Sequence, residues 1–208
     1  MIRGVITTLI LSVGIAVSAQ ASLISLNDPV TLNGTFPQFT SVCPPTELPQ
    51  PAPGTIDNGI FQPETTCYQE GIHWQGATTG DTTHSIAISF GGTFVIDGAI
   101  VQADDNDTYE LDYLGTDDAY HLWWSIPTIS SFGLVTRPNA DQTTIMTLPT
   151  VDALGVKIFA TGGDGDYAVS QVEVFGNPAP VPEPGTLGFL SAGLIGMVAA
   201  LNRRRRAA

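Results

Sequence analysis

The chain has 208 residues and a formal charge of −13, with seven Lys and Arg against twenty Asp and Glu. Proteins hold nucleic acid and other polyanions through clustered Lys and Arg, so this balance excludes such partners. Between its two terminal segments the chain is long enough for one domain with a real core and too short for two.

Residues 1–21 read as a secretory signal peptide. Arg3 supplies the positive end, an apolar stretch over 5–17 follows, and Ala19-Gln20-Ala21 gives the small-x-small pattern cut by signal peptidase. The mature protein is expected to begin at Ser22. All twenty acidic residues lie between Asp28 and Glu183, where only Arg137 and Lys157 oppose them, so this part carries −18. Such a surface suits solubility outside the cell, a cation or a neutral glycan.

The first strand is expected over 30–36, where Val30, Leu32 and Phe36 alternate with polar residues. Pro44, Pro45, Pro49, Pro51, Pro53 and Pro63 then forbid any long element. Cys43 and Cys67 bracket this segment; in an exported chain two cysteines pair, and a disulfide here would close a proline-rich loop over 43–67. From Ser85 onward every periodic stretch has the two-residue period of strands. Ile86, Ile88 and Phe90 alternate with small polar residues, and turns are expected at Gly91-Gly92 and Asp97-Gly98. Further strands are expected with Tyr109, Leu111 and Tyr113, over 120–126, 143–148, 156–161 and 169–175. Turn residues recur at the spacing of a β-sandwich, and residues 22–177 are expected to form one all-β domain.

Asp104, Asp105 and Asp107, with Asn106 between them, make the densest oxygen cluster. It reads either as a calcium site, since calcium takes six to eight oxygens, or as a solvated turn. Trp123 and Trp124 are neighbours, so on a regular strand they face opposite ways. One of them could then stack on a sugar ring, or both belong to the core and its edge. His73, His84 and His121 lack metal-ligand spacing, and no G-x-S-x-G elbow occurs. No cofactor is expected other than calcium, and the chain reads as a non-enzyme.

The last stretch, 178–208, has three parts. Val181-Pro182-Glu183-Pro184 stays extended, an uncharged apolar run over 186–202 nearly spans a ~30 Å hydrocarbon core as a helix, and Arg203, Arg204, Arg205 and Arg206 hold the cytoplasmic side. These parts in this order resemble the PEP-CTERM sorting signal of Gram-negative bacteria. That resemblance implies a transient inner-membrane anchor, processing by an exosortase, and delivery to the cell surface or the extracellular matrix of a biofilm. A second resemblance lies in residues 89–109 and 160–176, which are similar to the central and closing strands of discoidin-type, galactose-binding-like jelly rolls. It implies a jelly-roll sandwich whose loops hold carbohydrate, such as exopolysaccharide, or calcium. The expectation is therefore an exported structural or glycan-binding protein. A secreted carbohydrate-active hydrolase and a calcium-dependent adhesion module are the alternatives.

Overall fold

The computed structural model describes residues 22–36 and 49–180. The signal peptide, Cys43, the sorting residues Val181, Pro182, Glu183 and Pro184, the apolar run and Arg203 to Arg206 lie outside the described residues. Among the described residues no helix is long and apolar enough to cross a membrane. The chain divides into two units, Met1–Asn177 and Pro178–Ala208.

Among the described residues nine strands carry the first unit: β1 Ser22–Leu23, β2 Val30–Asn33, β3 Ile72–Gln75, β4 Asp81–Asp104, β5 Thr108–Leu114, β6 Tyr120–Ile126, β7 Leu134–Arg137, β8 Met146–Gly162 and β9 Asp166–Pro178. Two 3₁₀ turns, Pro53–Thr55 and Tyr68–Glu70, lie in the proline-rich stretch. Strands neighbour one another in the order β1-β9-β4-β8-β5-β6, with β2 and β7 also on β4 and β3 also on β9. The fold is an all-β sandwich, as the alternation requires.

The turns expected at Gly91-Gly92 and Asp97-Gly98 do not form; β4 runs unbroken through both. Its ladder with β8 instead shifts register between Ser89 and Phe94 and again between Ile96 and Gly98. A bulge places extra residues on one strand and bends it without reversing it. Gly91, at φ +68° with open space where a Cβ would sit, supplies the backbone freedom this needs. β8 likewise joins two expected strands into one. The first half of β4 pairs with β2 and the far half of β8, while its end pairs with β7. Two bent strands thus serve both layers, as at the corners of orthogonal packings.

The core lies between the layers. Ile86, Ile88, Val156, Ile158, Leu111 and Val172 are all at most 2 % exposed. Burying each such side chain is worth roughly 1.5–3 kcal/mol. Trp74 on β3 meets the rings of Tyr167 at 5.7 Å and Tyr109 at 6.4 Å between centroids. Cys67, just before the second 3₁₀ turn, carries no free thiol.

The two tryptophans do not face opposite ways. Leu111 pairs with Trp124 and Asp112 with Leu122, which leaves Trp123 as the extra residue of a bulge in β6. The bulge cancels the alternation, so both rings enter the core at 6 % exposure, and Trp123 Nε1 donates to Pro149 O at 2.8 Å. Neither offers an open face to a sugar.

Candidate functional site

Arg137, the last residue of β7, is fully buried. Its fork bonds backbone carbonyls and no carboxylate. Nη1 donates to Ala103 O and Val135 O at 2.6 Å, and Nη2 donates to Asp104 O at 2.6 Å and Asp105 O at 3.2 Å. Nε reaches Pro127 O at 3.4 Å. A planar guanidinium with five donors can pin several carbonyls at once, which a lysine cannot. One side chain therefore fixes the β4–β5 turn and the start of the 127–133 loop together. Burial lowers its pKa, but nearby Tyr109 and Asp104 pull the other way.

The acidic turn is buried, not solvated: Asp104, Asp105 and Asp107 are 4 %, 8 % and 0 % exposed. Nor do its carboxylates converge on one point. Asp104 Oδ1 accepts from the Asp105 amide, Asp105 Oδ2 from the Ser131 amide, and Asp107 Oδ1 from the Asp164 amide. Among the described residues no group of three or more His, Cys, Asp or Glu could hold a metal ion. The calcium expectation at Asp104, Asp105 and Asp107 thus lacks its ligand set, because successive residues of a tight turn are each tied to a separate backbone donor.

Burial raises Asp104 to about 7 and Asp107 to about 8; repulsion from Asp105 and Asp164 adds to the first shift, and repulsion from Asp104 and Asp164 to the second. The Tyr109 oxygen lies 3.1 Å from Asp107 Oδ2 and 3.0 Å from Ala168 O, and accepts from the Ala168 amide at 3.1 Å. A protonated Asp107 donates to that oxygen, which frees the hydroxyl to donate to Ala168 O and satisfies all three groups. Across the turn, Asn106 Nδ2 donates to Asp164 Oδ2 at 2.9 Å, joining the β4–β5 and β8–β9 turns.

Beside this frame lies a cleft of about 400 Å³ lined by Asp105, Asn106, Thr128, Ile129, Ser130 and Ser131. Ile129 N donates to Asp105 O at 2.8 Å and Ser131 N to Asp105 Oδ2 at 3.0 Å, so the loop is anchored where the cleft is formed. Phe132, the next residue, is 57 % exposed. The walls thus offer hydroxyls, an amide and a carboxylate close to an exposed ring, which suits a ligand rich in hydroxyls. Sequence reasoning found Asp105 and missed Thr128 to Phe132. Their only signal is a run of hydroxyl residues between Pro127 and Gly133, and its closeness to the acidic turn exists only in space.

The histidines are scattered. His73 is buried, which lowers its pKa, and its Nδ1 lies 3.0 Å from Gly71 O. His84 pairs with Asp81, and His121 Nε2 lies 3.0 Å from Asp117 Oδ2.

A second pair of carboxylates, Asp28 and Asp57, also has buried oxygens. Asp57 is 1 % exposed and its carboxylate meets only strained contacts with the backbone amides of Asp28 and Asp57, while Asp28 Oδ2 is also buried. Asn27 N donates to Asp57 O at 2.9 Å, which holds the two loops together. Burial, with Asp28 adding repulsion, pushes Asp57 up to about 6, and burial raises Asp28 as well. Asp57 is dry and Asp28 half-buried, and carboxylates of this kind are hard oxygen donors of the sort calcium takes.

No curated protein matches the sequence. Among solved structures, the chain is similar to chitosan-binding module 1 of a chitosanase/glucanase from Paenibacillus sp. IK-5, at 14 % identity and TM-score 0.46 over 74 % of this chain and 98 % of that one. It is similar to the lectin domain of lectinolysin complexed with Lewis B antigen, at 10 % identity and TM-score 0.49 over 74 % and 96 %. A Streptococcus pneumoniae fucose-binding module is similar at 11 % identity and TM-score 0.46, again over 74 % and 96 %. Residues 180–206 match the PEP-CTERM protein-sorting motif. Ahead of that motif stands an all-β sandwich, so the chain is an exported protein that carries a PEP-CTERM sorting motif.

Proposed function

We propose that this protein is a non-catalytic glycan-binding component of the cell surface or extracellular matrix, holding a neutral, hydroxyl-rich sugar in the cleft at Asp105, Asn106 and Thr128 to Ser131. The observation that carries the reading is the preorganisation of that cleft. Arg137 fixes both of its walls from below, so little ordering remains to oppose binding. An unpaired cation among its lining residues would favour an anionic sugar; there is none. Binding without turnover is expected on a glycan array. Phe132→Ala and Asn106→Ala should each weaken it roughly five- to thirtyfold, the scale of one lost ring contact or one hydrogen bond. Hydrolysis of the bound glycan would establish the hydrolase instead, and affinity unchanged in both variants would remove the cleft from the reading.

Export requires signal peptidase at residues 1–21 and an exosortase at the tail, and Cys43 is the disulfide partner that the sequence supplies for Cys67. Replacing Pro182, Glu183 and Pro184 by alanine should leave a membrane-bound, unprocessed protein. Intact mass of the envelope fraction reads this directly, and normal processing of that variant would reduce the tail to a plain anchor.

We also propose a structural calcium ion at Asp28 and Asp57, a reading supported by their buried oxygens. Its role there is to neutralise two buried carboxylates and to tie the 27–29 loop to the 55–59 loop.

A further inference from the structure

The far end of the β5–β6 hairpin carries a second cleft, of about 450 Å³, lined by Tyr113, Gly115, Thr116, Asp117, His121, Val151 and Asp152. Tyr113 and His121 face each other across β5 and β6, with ring centroids 5.1 Å apart and planes tilted 30°. Opposite them Val151 and Asp152 come from β8. The Asp117 side chain is 60 % exposed, and its nearest partner is His121, whose Nε2 lies 3.1 and 3.0 Å from its two oxygens. Lys157, the one lysine of the chain, is held elsewhere. It pairs with Asp112 at 3.2 Å and lies over the rings of Tyr120 and Phe159 at 4.1 and 5.1 Å.

We propose that this hairpin-end cleft is a second carbohydrate site, which takes an amino sugar with a free ammonium group. Two carboxylates, opposed among the lining residues by His121 alone and by no Lys or Arg, make a cation attractor in a domain that is already strongly acidic. The stacked Tyr113 and His121 rings make an aromatic wall in the cleft against which the apolar side of a pyranose can pack, and an aromatic ring adds attraction for an ammonium. Thr116 and the carboxylates accept from sugar hydroxyls. The hydrogen bond from His121 holds Asp117 below the usual carboxylate range, so it is an anion whenever the ligand is a cation. A flexible lysine tail of a protein would use the charge but leave the aromatic wall and the hydroxyl acceptors unused, so the sugar is the better match.

Three probes separate the alternatives: a glucosamine oligomer, its fully N-acetylated counterpart and oligolysine, each titrated calorimetrically into the purified protein at mildly acidic pH. The glucosamine oligomer is expected to bind best, and acetylation to weaken binding roughly tenfold. Asp152→Asn, at an exposed position, should cost roughly two- to fivefold, the scale of a solvent-exposed ion pair. Tyr113→Ala should cost more. Asp97→Asn, which removes a charge outside both clefts, should leave this affinity unchanged. Equal binding of the acetylated oligomer, or oligolysine binding as tightly as glucosamine, would overturn the assignment. Sensitivity to Asn106→Ala with indifference to Asp152→Asn would move the ligand to the first cleft, ending this proposal and leaving the earlier one standing.

Discussion

Replacing Arg137 by methionine is expected to destabilise the sandwich by about 3–5 kcal/mol, the scale of breaking a buried charged network. Methionine fills much of the volume but leaves the carbonyls of Ala103, Asp104, Asp105 and Val135 without their donors. Each orphaned buried acceptor costs roughly 1–3 kcal/mol where no second donor reaches it. At about 2–4 °C per kcal/mol for a domain of this size, the melting temperature should fall by roughly 10 °C. Arg137→Lys should recover only part of this, because one ammonium cannot reach both the turn and Pro127. Glycan binding should fall in both variants even well below their melting temperatures, since the cleft walls lose their common support. A melting temperature within a degree or two of wild type in Arg137→Met would show that the turn holds itself.

The second large effect is the dependence of stability on pH and calcium. Asp57, Asp104 and Asp107 have folded-state values near 6, 7 and 8, against an ordinary aspartate value of 3.8. Between pH 4 and these values the folded protein holds protons that the unfolded chain has lost, so stability falls as pH rises. Asp141, held at about 2 by its threonine partners, works in the opposite sense but only below about pH 4. The calcium-free protein should therefore be most stable near pH 4–5 and lose several kcal/mol by pH 8, at about 1.4 kcal/mol per pH unit for each such proton. Calcium should return the share that belongs to Asp57, on the order of 2–3 kcal/mol at saturating concentration. Asp57→Asn should raise stability at pH 8 without calcium and abolish the response to it, whereas Asp105→Asn should leave the response intact. Thermal melts at pH 5 and pH 8, with calcium and with equal magnesium, give every comparison. Equal shifts from the two ions, unaffected by Asp57→Asn, would exclude the site.

Much of the fold was legible in the residues, because a half-buried strand imposes a period of two that needs no tertiary information. Tyr109, Leu111 and Tyr113 mark β5 in this way, and 120–126 coincides with β6. Departures from that period were not legible. The register shifts that keep β4 whole and the bulge that turns both tryptophans inward depend on partner strands. β3 and β7 are four residues each, too short for a period to show. The acidic turn was found by its composition, but its carbonyls are held by Arg137, which is more than 30 positions away from them and looks in sequence like an isolated surface cation. Asp28 and Asp57 were invisible for a related reason: neither stands in a cluster until two loops bring them together. Sequence composition shows how many charges there are, and only packing shows which of them are dry.

The sharing of β4 and β8 between both layers has a mechanical consequence. Were each layer built from its own strands, the two could slide or peel apart, and one could fray while the other held. Here a pull on either layer travels along the backbone of a continuous 24-residue or 17-residue strand into the other, so the load is carried by covalent bonds as well as by the interface. Such a sandwich has no seam along which to fail by halves. For a protein exposed to flow and to proteases outside the cell, that means few partly opened forms to be cut, and yielding that comes all at once.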